Sequence, residues 1–208
     1  MLHADRVRSP VCIFDVMQKN RHGQAKMLPC RFYYAEGEKS MPRIAPMNLT
    51  DLSHAANAAI LEHLRQGGRL TNEKRTLLRN ATAFEALEVQ SYAVDGELQR
   101  LVGKRAADLF EYAISVENDC IVCTTYFRKL LRSKGIEDLE HFAFTPEEEL
   151  MIEYGRAIAR NPKQIPDELF ERLRAVFDEE TIVVMTTMAV FMIANNVFND
   201  ALQVEPEP

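Results

Sequence analysis

The arrangement of apolar and polar residues from Asn48 onward is typical of helices, because no run of alternating β-branched residues appears there. Good helix formers dominate, and the whole chain of 208 residues contains only 8 glycines. This pattern predicts an all-α fold, a bundle of about seven helices joined by short turns.

Capping residues and glycines divide the chain into the predicted helices. These run from Thr50 or Asp51 to about Gln66, from Asn72 to Leu101 with a break near Asn80 or Gly96, from Lys104 to Glu117, from Asp119 to Lys134, from Thr145 to about Arg160, from Pro166 to Phe177, and from Asp178 to near Leu202. The segment Phe-Glu-Tyr-Ala at 110–113 recurs as Ile-Glu-Tyr-Gly at 152–155. A duplicated helical hairpin would explain this repeat.

The first forty residues differ from the rest in charge, with seven Lys or Arg against four Asp or Glu. Two short apolar runs, at 11–14 and 31–34, predict either a β-hairpin or an extended arm that packs on a neighbour. A third interpretation is that Met41 is the true start. We therefore expect an N-terminal extension over residues 1–40 and a helical domain over residues 41–208.

Net charge is −6, from 25 basic and 31 acidic residues, which excludes the basic surface that nucleic acid or an anionic membrane requires. The uncharged segment Thr181 to Phe198 contains three Thr and two Asn, so it predicts a buried core helix rather than a membrane span. The 4 cysteines are too few for a secreted disulfide framework, and no signal peptide precedes them. We expect a cytoplasmic protein with reduced thiols.

The chemical signal is the Cys-x-x-Cys spacing of Cys120 and Cys123. Asn118 or Asp119 is a natural N-cap, which would place Cys120 in the first helical turn and Cys123 one turn later on the same face. Two thiols so placed can form a reversible disulfide, and the positive helix end should lower the pKa of at least one. Proximity to the helix start favours Cys120 as the more acidic thiol.

The same spacing is compatible with a zinc site or with buried structural cysteines. Zinc usually needs a second ligand pair, which Cys12 and Cys30 do not form, so we expect no metal and no cofactor. Buried structural cysteines are a real alternative, since free cysteine packs as a small apolar residue. A thioredoxin fold is excluded because the surrounding sequence is helical.

The helix before the cysteines carries its polar residues on one face. These are Lys104, Asp108, Glu111 and Ser115. Their steps of four, three and four residues predict either a solvated stripe or an acid that faces the cysteines and moves their protons.

An acid twelve residues before a Cys-x-x-Cys pair, here Asp108, Cys120 and Cys123, resembles the carboxymuconolactone decarboxylase superfamily in its alkylhydroperoxidase D-like (AhpD-like) branch. The resemblance covers about residues 41 to 204. Its further matches are Met41-Pro42-Arg43-Ile44, the segment Phe-Thr-Pro-Glu-Glu-Glu at 144–149, and the segment Asn-Val-Phe-Asn-Asp-Ala-Leu at 196–202.

The resemblance implies a homo-oligomeric thiol peroxidase in which Cys123 attacks the peroxide, Cys120 closes the disulfide and a glutamate relays protons through a histidine. The glutamate is matched by Asp108, the histidine by Phe127 and an arginine after Asn196 by Val197. The relay is therefore incomplete, and both cysteines stay candidates for the attacking thiol.

Three functions compete. The first is an AhpD-like thiol-disulfide oxidoreductase that reduces a small-molecule hydroperoxide with electrons from a dithiol or protein donor. Cys120 and Cys123 would cycle between dithiol and disulfide, and Asp108 would assist deprotonation. The second is a cofactor-free carboxymuconolactone decarboxylase-like enzyme, which would not need the cysteines. The third is a redox-sensing or oligomeric binding protein that lost the proton relay.

Overall fold

A computed structural model of the chain describes residues 41–65, 67–136 and 143–207. The described residues form helices and no strand, which confirms the expected all-α fold. The predicted hairpin or arm over residues 1–40, with Cys12 and Cys30, lies outside the described residues.

The helices follow one another with short connections in the described part of the chain. They are a 3₁₀ turn at Leu49–Asp51, α1 at His54–Arg65, α2 at Asn72–Leu77, α3 at Ala81–Phe84, a π-helical segment at Glu85–Val89, α4 at Gln90–Val102, α5 at Lys104–Glu117, α6 at Ile121–Ser133, α7 at Pro146–Arg160, α8 at Asp167–Val176 and α9 at Glu179–Leu202.

Three helix starts confirm the capping signals in the sequence. The Asn80 side chain accepts a hydrogen bond from the Ala83 amide at 2.9 Å, which places the predicted break at Asn80. Thr145 and Glu148 form a reciprocal capping box at the start of α7. The Asp178 side chain accepts from the amide of residue 181 at 2.8 Å and starts α9.

One boundary prediction was wrong, and of the two alternative break points predicted for the second helix only Asn80 applies. The first long helix is not capped by Thr50 or Asp51, since these residues lie in the 3₁₀ turn and the extended backbone of Leu52 separates that turn from α1. The Ser53 hydroxyl instead accepts from the Ala56 amide at 3.1 Å. Gly96 does not break its helix and lies within α4.

Helix α5 is the central element of the bundle, with every side chain from Ala106 to Ser115 buried. It packs against α4, α6, α7 and α9. The repeat noted in the sequence falls on α5 and α7, and these helices approach closely where Gly155 meets Phe110. A Cβ atom at Gly155 would lie 3.0 Å from the Phe110 ring, so the glycine permits the close helix contact.

Among the described helices, α9 alone has the length and apolar character of a membrane-spanning helix, with a mean hydropathy of 1.8 in its 18-residue window. It also packs against α4, α5, α6, α7 and α8. Buried residues make up 39% of that window. The face that stays exposed carries Val183, Val190 and Val197, spaced seven residues apart.

Candidate active site

A tight turn between α5 and α6 positions the two cysteines. Asp119 adopts the left-handed conformation at φ 57°, which short polar side chains tolerate, and the Cys120 amide then donates to the Ser115 carbonyl at 3.1 Å. Cys120 is itself the N-cap residue, and α6 begins at Ile121. The expectation that Asn118 or Asp119 is the cap was wrong, because both residues are used to end α5.

Asparagines fix this turn against two other helices. The Asn118 side chain donates to the Ala159 carbonyl of α7 at 3.3 Å and accepts from Asn196 of α9 at 3.0 Å. Asn196 is fully buried. Because three helices hold the turn, the cysteines have a defined position relative to α9.

Both cysteines are free thiols inside the protein. Cys120 is 0% exposed and Cys123 is 6% exposed. The two side chains lie near each other. The Asn199 amide nitrogen lies 3.4 Å from the Cys123 sulfur and donates to it. The structure thus brings the predicted pair together on α6 in a setting shielded from water.

The environment of Cys123 makes its thiol less acidic than an ordinary cysteine. Interaction with the Cys120 thiol, then burial and the charge of Glu73, raise the pKa of the Cys123 thiol well above its usual range. The hydrogen bond from Asn199 acts in the opposite direction. Cys123 is therefore a protonated thiol at neutral pH and needs a base before it can act as a nucleophile.

Asp108 lies in the bundle interior with a side chain only 4% exposed. One carboxylate oxygen forms an ion pair with Lys134, and the other lies 3.6 Å from Lys104. Both oxygens therefore face lysines. The role of Asp108 in deprotonating a cysteine stays a prediction.

The polar face of α5 is not the solvated stripe considered from the sequence, since Asp108, Glu111 and Ser115 are all buried. The reason is that α5 is surrounded by helices on every side. Burial and then the neighbouring Asp95 raise the pKa of the Glu111 carboxyl well above its usual range. Both effects favour the neutral form of Glu111.

The residue one helical turn after the second cysteine is Phe127, which cannot carry a proton. Phe127 is buried and packs edge to face on Tyr126, with ring centroids 5.2 Å apart. Burial raises the pKa of the Tyr126 phenol, so even less of this residue is ionised and able to accept a proton at neutral pH. Tyr126 is 44% exposed.

Comparison with known proteins gives a structural relative only. The fold is similar to that of a peroxidase-related protein. One matching structure is the crystal structure of an uncharacterized peroxidase-related protein from Silicibacter sp. TM1040, with a TM-score of 0.59 and 16% sequence identity over 82% of this chain and 96% of that chain. Neither a family model nor a curated protein matches the sequence. The likeness is consistent with the AhpD-like bundle expected from the motifs.

A buried charged cluster beside the cysteines was not anticipated from the sequence. Its members are Glu73 and Lys74 of α2 and Glu88 of the π-helical segment. Lys74 Nζ and a Glu88 carboxylate oxygen lie 2.8 Å apart, and the side chains are 14% and 2% exposed. π-Helical segments are rare and frequently occur at functional sites. We refer to these three residues as the buried charge cluster.

One sequence signal could have identified Glu73 as buried. Glu73, Thr76 and Leu77 are spaced three and four residues apart and form the buried face of α2. The pairing of Lys74 with Glu88 has no such signal, since it joins separate helical elements.

Proposed function

We propose that the protein is a thiol-disulfide oxidoreductase that reduces hydroperoxides through Cys120 and Cys123. The observation that carries the proposal is the pair of free, neighbouring thiols at the start of α6. The similarity of the fold to a protein named peroxidase-related supports the same chemistry.

The reaction has two steps at the cysteines. The Cys123 thiolate attacks a peroxide oxygen, so that an S–O bond forms, the O–O bond breaks and an alcohol or water leaves. The Cys120 thiol then displaces water from the sulfenic acid to form the disulfide. An external dithiol, small or on a protein, returns both sulfurs to thiols. Cys123 is the attacking thiol in this proposal because Asn199 contacts its sulfur and because it is the more exposed of the two.

The reduced full-length chain is expected to consume hydrogen peroxide with dithiothreitol as reductant, and faster than it consumes cumene hydroperoxide. The reason for this order is steric, since Cys123 is only 6% exposed. Absorbance of the remaining peroxide measures both rates. A Cys12→Ser/Cys30→Ser variant is the matched control and should retain the activity. Peroxide consumption no faster than with reductant alone would overturn the proposal.

The two competing functions depend differently on the thiols. A decarboxylase-like activity on a muconolactone would survive replacement of both cysteines by alanine. A binding or sensing protein would show no turnover with a dithiol reductant.

We also propose that the protein forms homo-oligomers through the exposed face of α9. Supporting this, Val183, Val190 and Val197 are 63%, 58% and 61% exposed at a spacing suited to a helix–helix seam. Light scattering is expected to give a mass above that of one chain, and Val190→Glu is expected to lower it. A wild-type mass equal to that of one chain would contradict oligomer formation.

A further inference from the structure

The buried charge cluster contains one more carboxylate than its lysine can neutralise. Glu88 and Lys74 form a close ion pair. Glu73 is also buried, at 8% exposure, and adds a second acid to the same interior. If both acids were ionised the cluster would carry a net charge of −1, which is unfavourable away from water. Glu73 is thus the member of the cluster whose proton is exchangeable.

Asn199 connects Glu73 with the cysteines. Its side chain is 1% exposed, donates to the Cys123 sulfur at 3.4 Å and lies near enough to the Glu73 carboxyl to lower the pKa of that group. An amide nitrogen carries two hydrogens, so Asn199 can serve both groups at once. Glu73 and Cys123 thus neighbour the same buried amide, and Glu73 is close enough for its charge to act on the thiol.

Buried oxygens at this place lack partners among the described residues. They are Glu73 Oε1, Asn199 Oδ1 and, next to Cys123 in the sequence, Thr124 Oγ1. An unsatisfied buried polar atom costs about 1–3 kcal/mol, so a purely structural cluster would not be expected to collect several. Such atoms suit a site that receives a small polar molecule and moves a proton.

We propose that Glu73 is the proton acceptor for the Cys123 thiol, with Asn199 as the positioning residue that holds the two groups together. This proposal rests on the proposed function. It supplies the acid–base group that the sequence lacks at Phe127.

The proton balance closes within one catalytic step. The Glu73 carboxylate takes the thiol proton, and the Cys123 thiolate attacks the peroxide. As the S–O bond forms and the O–O bond breaks, the protonated Glu73 gives its proton to the leaving alkoxide. Glu73 returns to a carboxylate, sulfur is oxidised, and the peroxide is reduced to an alcohol.

The acidity of Glu73 suits this exchange. Burial, opposed by Lys74 and reinforced by Glu88, raises the pKa of Glu73 to about 7. A general base is most effective when its pKa lies near the working pH. The groups that face Glu73 are Lys74 on its own helix, Glu88 on the π-helical segment, Cys123 on α6 and Asn199 on α9.

The test is the pH dependence of Cys123 oxidation in the pre-reduced full-length chain, measured in a single turnover with hydrogen peroxide. In wild type the rate is expected to rise through about pH 7, as Glu73 loses its proton. In Glu73→Gln the rate above that pH is expected to fall at least about tenfold, and the rise near neutrality should disappear. Glu73→Asp should keep the rise at a reduced rate.

The matched control is Glu148→Gln, since Glu148 is equally buried at 6% and glutamine can preserve its capping box. It should leave the pH profile unchanged. If Glu73 acted only as a nearby negative charge, the opposite result would be expected. Glu73→Gln would then react faster, because loss of the carboxylate would make the thiol more acidic. A faster Glu73→Gln variant or an unchanged profile would overturn the proposal.

Alkylation separates this proposal from the proposed function. Iodoacetamide modification of Cys123, followed by mass spectrometry, requires no peroxide activity. An alkylation rate that rises near neutral pH in wild type but not in Glu73→Gln would support proton transfer to Glu73 even if no hydroperoxide is reduced. A rise that persists in Glu73→Gln would overturn it.

Discussion

Cys123→Ser is expected to lower dithiol-dependent hydroperoxide reduction by at least about a hundredfold, because a serine hydroxyl at neutral pH is a far weaker nucleophile than a thiolate. The fold should persist, since the substitution is nearly isosteric. Steady-state peroxide consumption measures the effect, and circular dichroism checks the fold. Activity unchanged in this variant would refute the role of the pair.

Cys120→Ser distinguishes attack from resolution. With Cys123 as the attacking thiol, one equivalent of peroxide should leave a sulfenic acid at Cys123 that a dimedone probe captures. If dimedone instead captured a sulfenic acid at Cys120 in the Cys123→Ser variant, the roles of the two cysteines would be reversed.

Lys74→Met is expected to lower the free energy of unfolding by about 3–5 kcal/mol at mildly alkaline pH, because it leaves Glu73 and Glu88 buried without their counter-charge. The charges of Glu88 and Glu73 outweigh the effect of burial and raise the pKa of Lys74, so the lysine is charged in wild type. Urea unfolding followed by circular dichroism measures the loss.

The pH dependence of this loss has a definite sign. Lys74 lowers the pKa of Glu73, so its removal raises a pKa that already lies at about 7 in the folded protein. A raised carboxyl pKa favours folding at low pH and opposes it above the folded value. The cost of Lys74→Met should therefore shrink on acidification. Lys163→Met, at an exposed position, is the control and should change stability by less than about 0.5 kcal/mol. An equally small change for Lys74→Met at alkaline pH would contradict the buried ion pair.

Local signals account for much of the fold. The caps at Asn80, Thr145 and Asp178 depend on hydrogen bonds that reach only three residues along the chain, so the sequence displays them directly. The start of α6 could not be found in this way. Asp119 takes its left-handed backbone within the turn between α5 and α6, and Asn196 of α9 helps to hold that turn.

Only part of the candidate site could be predicted from the sequence, for a similar reason. Cys120 and Cys123 are close in sequence and lie together in space. Glu73 and Asn199 come from distant segments and meet Cys123 only in the folded bundle. The position of Asp108 on α5 likewise gives no sign of its ion pair with Lys134, which follows α6 in the sequence.

The central claim is that Cys120 and Cys123 form a redox pair. The most direct measurement is mass spectrometric mapping of thiols after one equivalent of hydrogen peroxide is added to the fully reduced chain under anaerobic conditions. A Cys120–Cys123 disulfide is expected, with Cys12 and Cys30 still open to alkylation. Four free thiols after incubation with the peroxide would contradict a redox role for the pair. A disulfide that joins either cysteine of the pair to Cys12 or Cys30 would also contradict it.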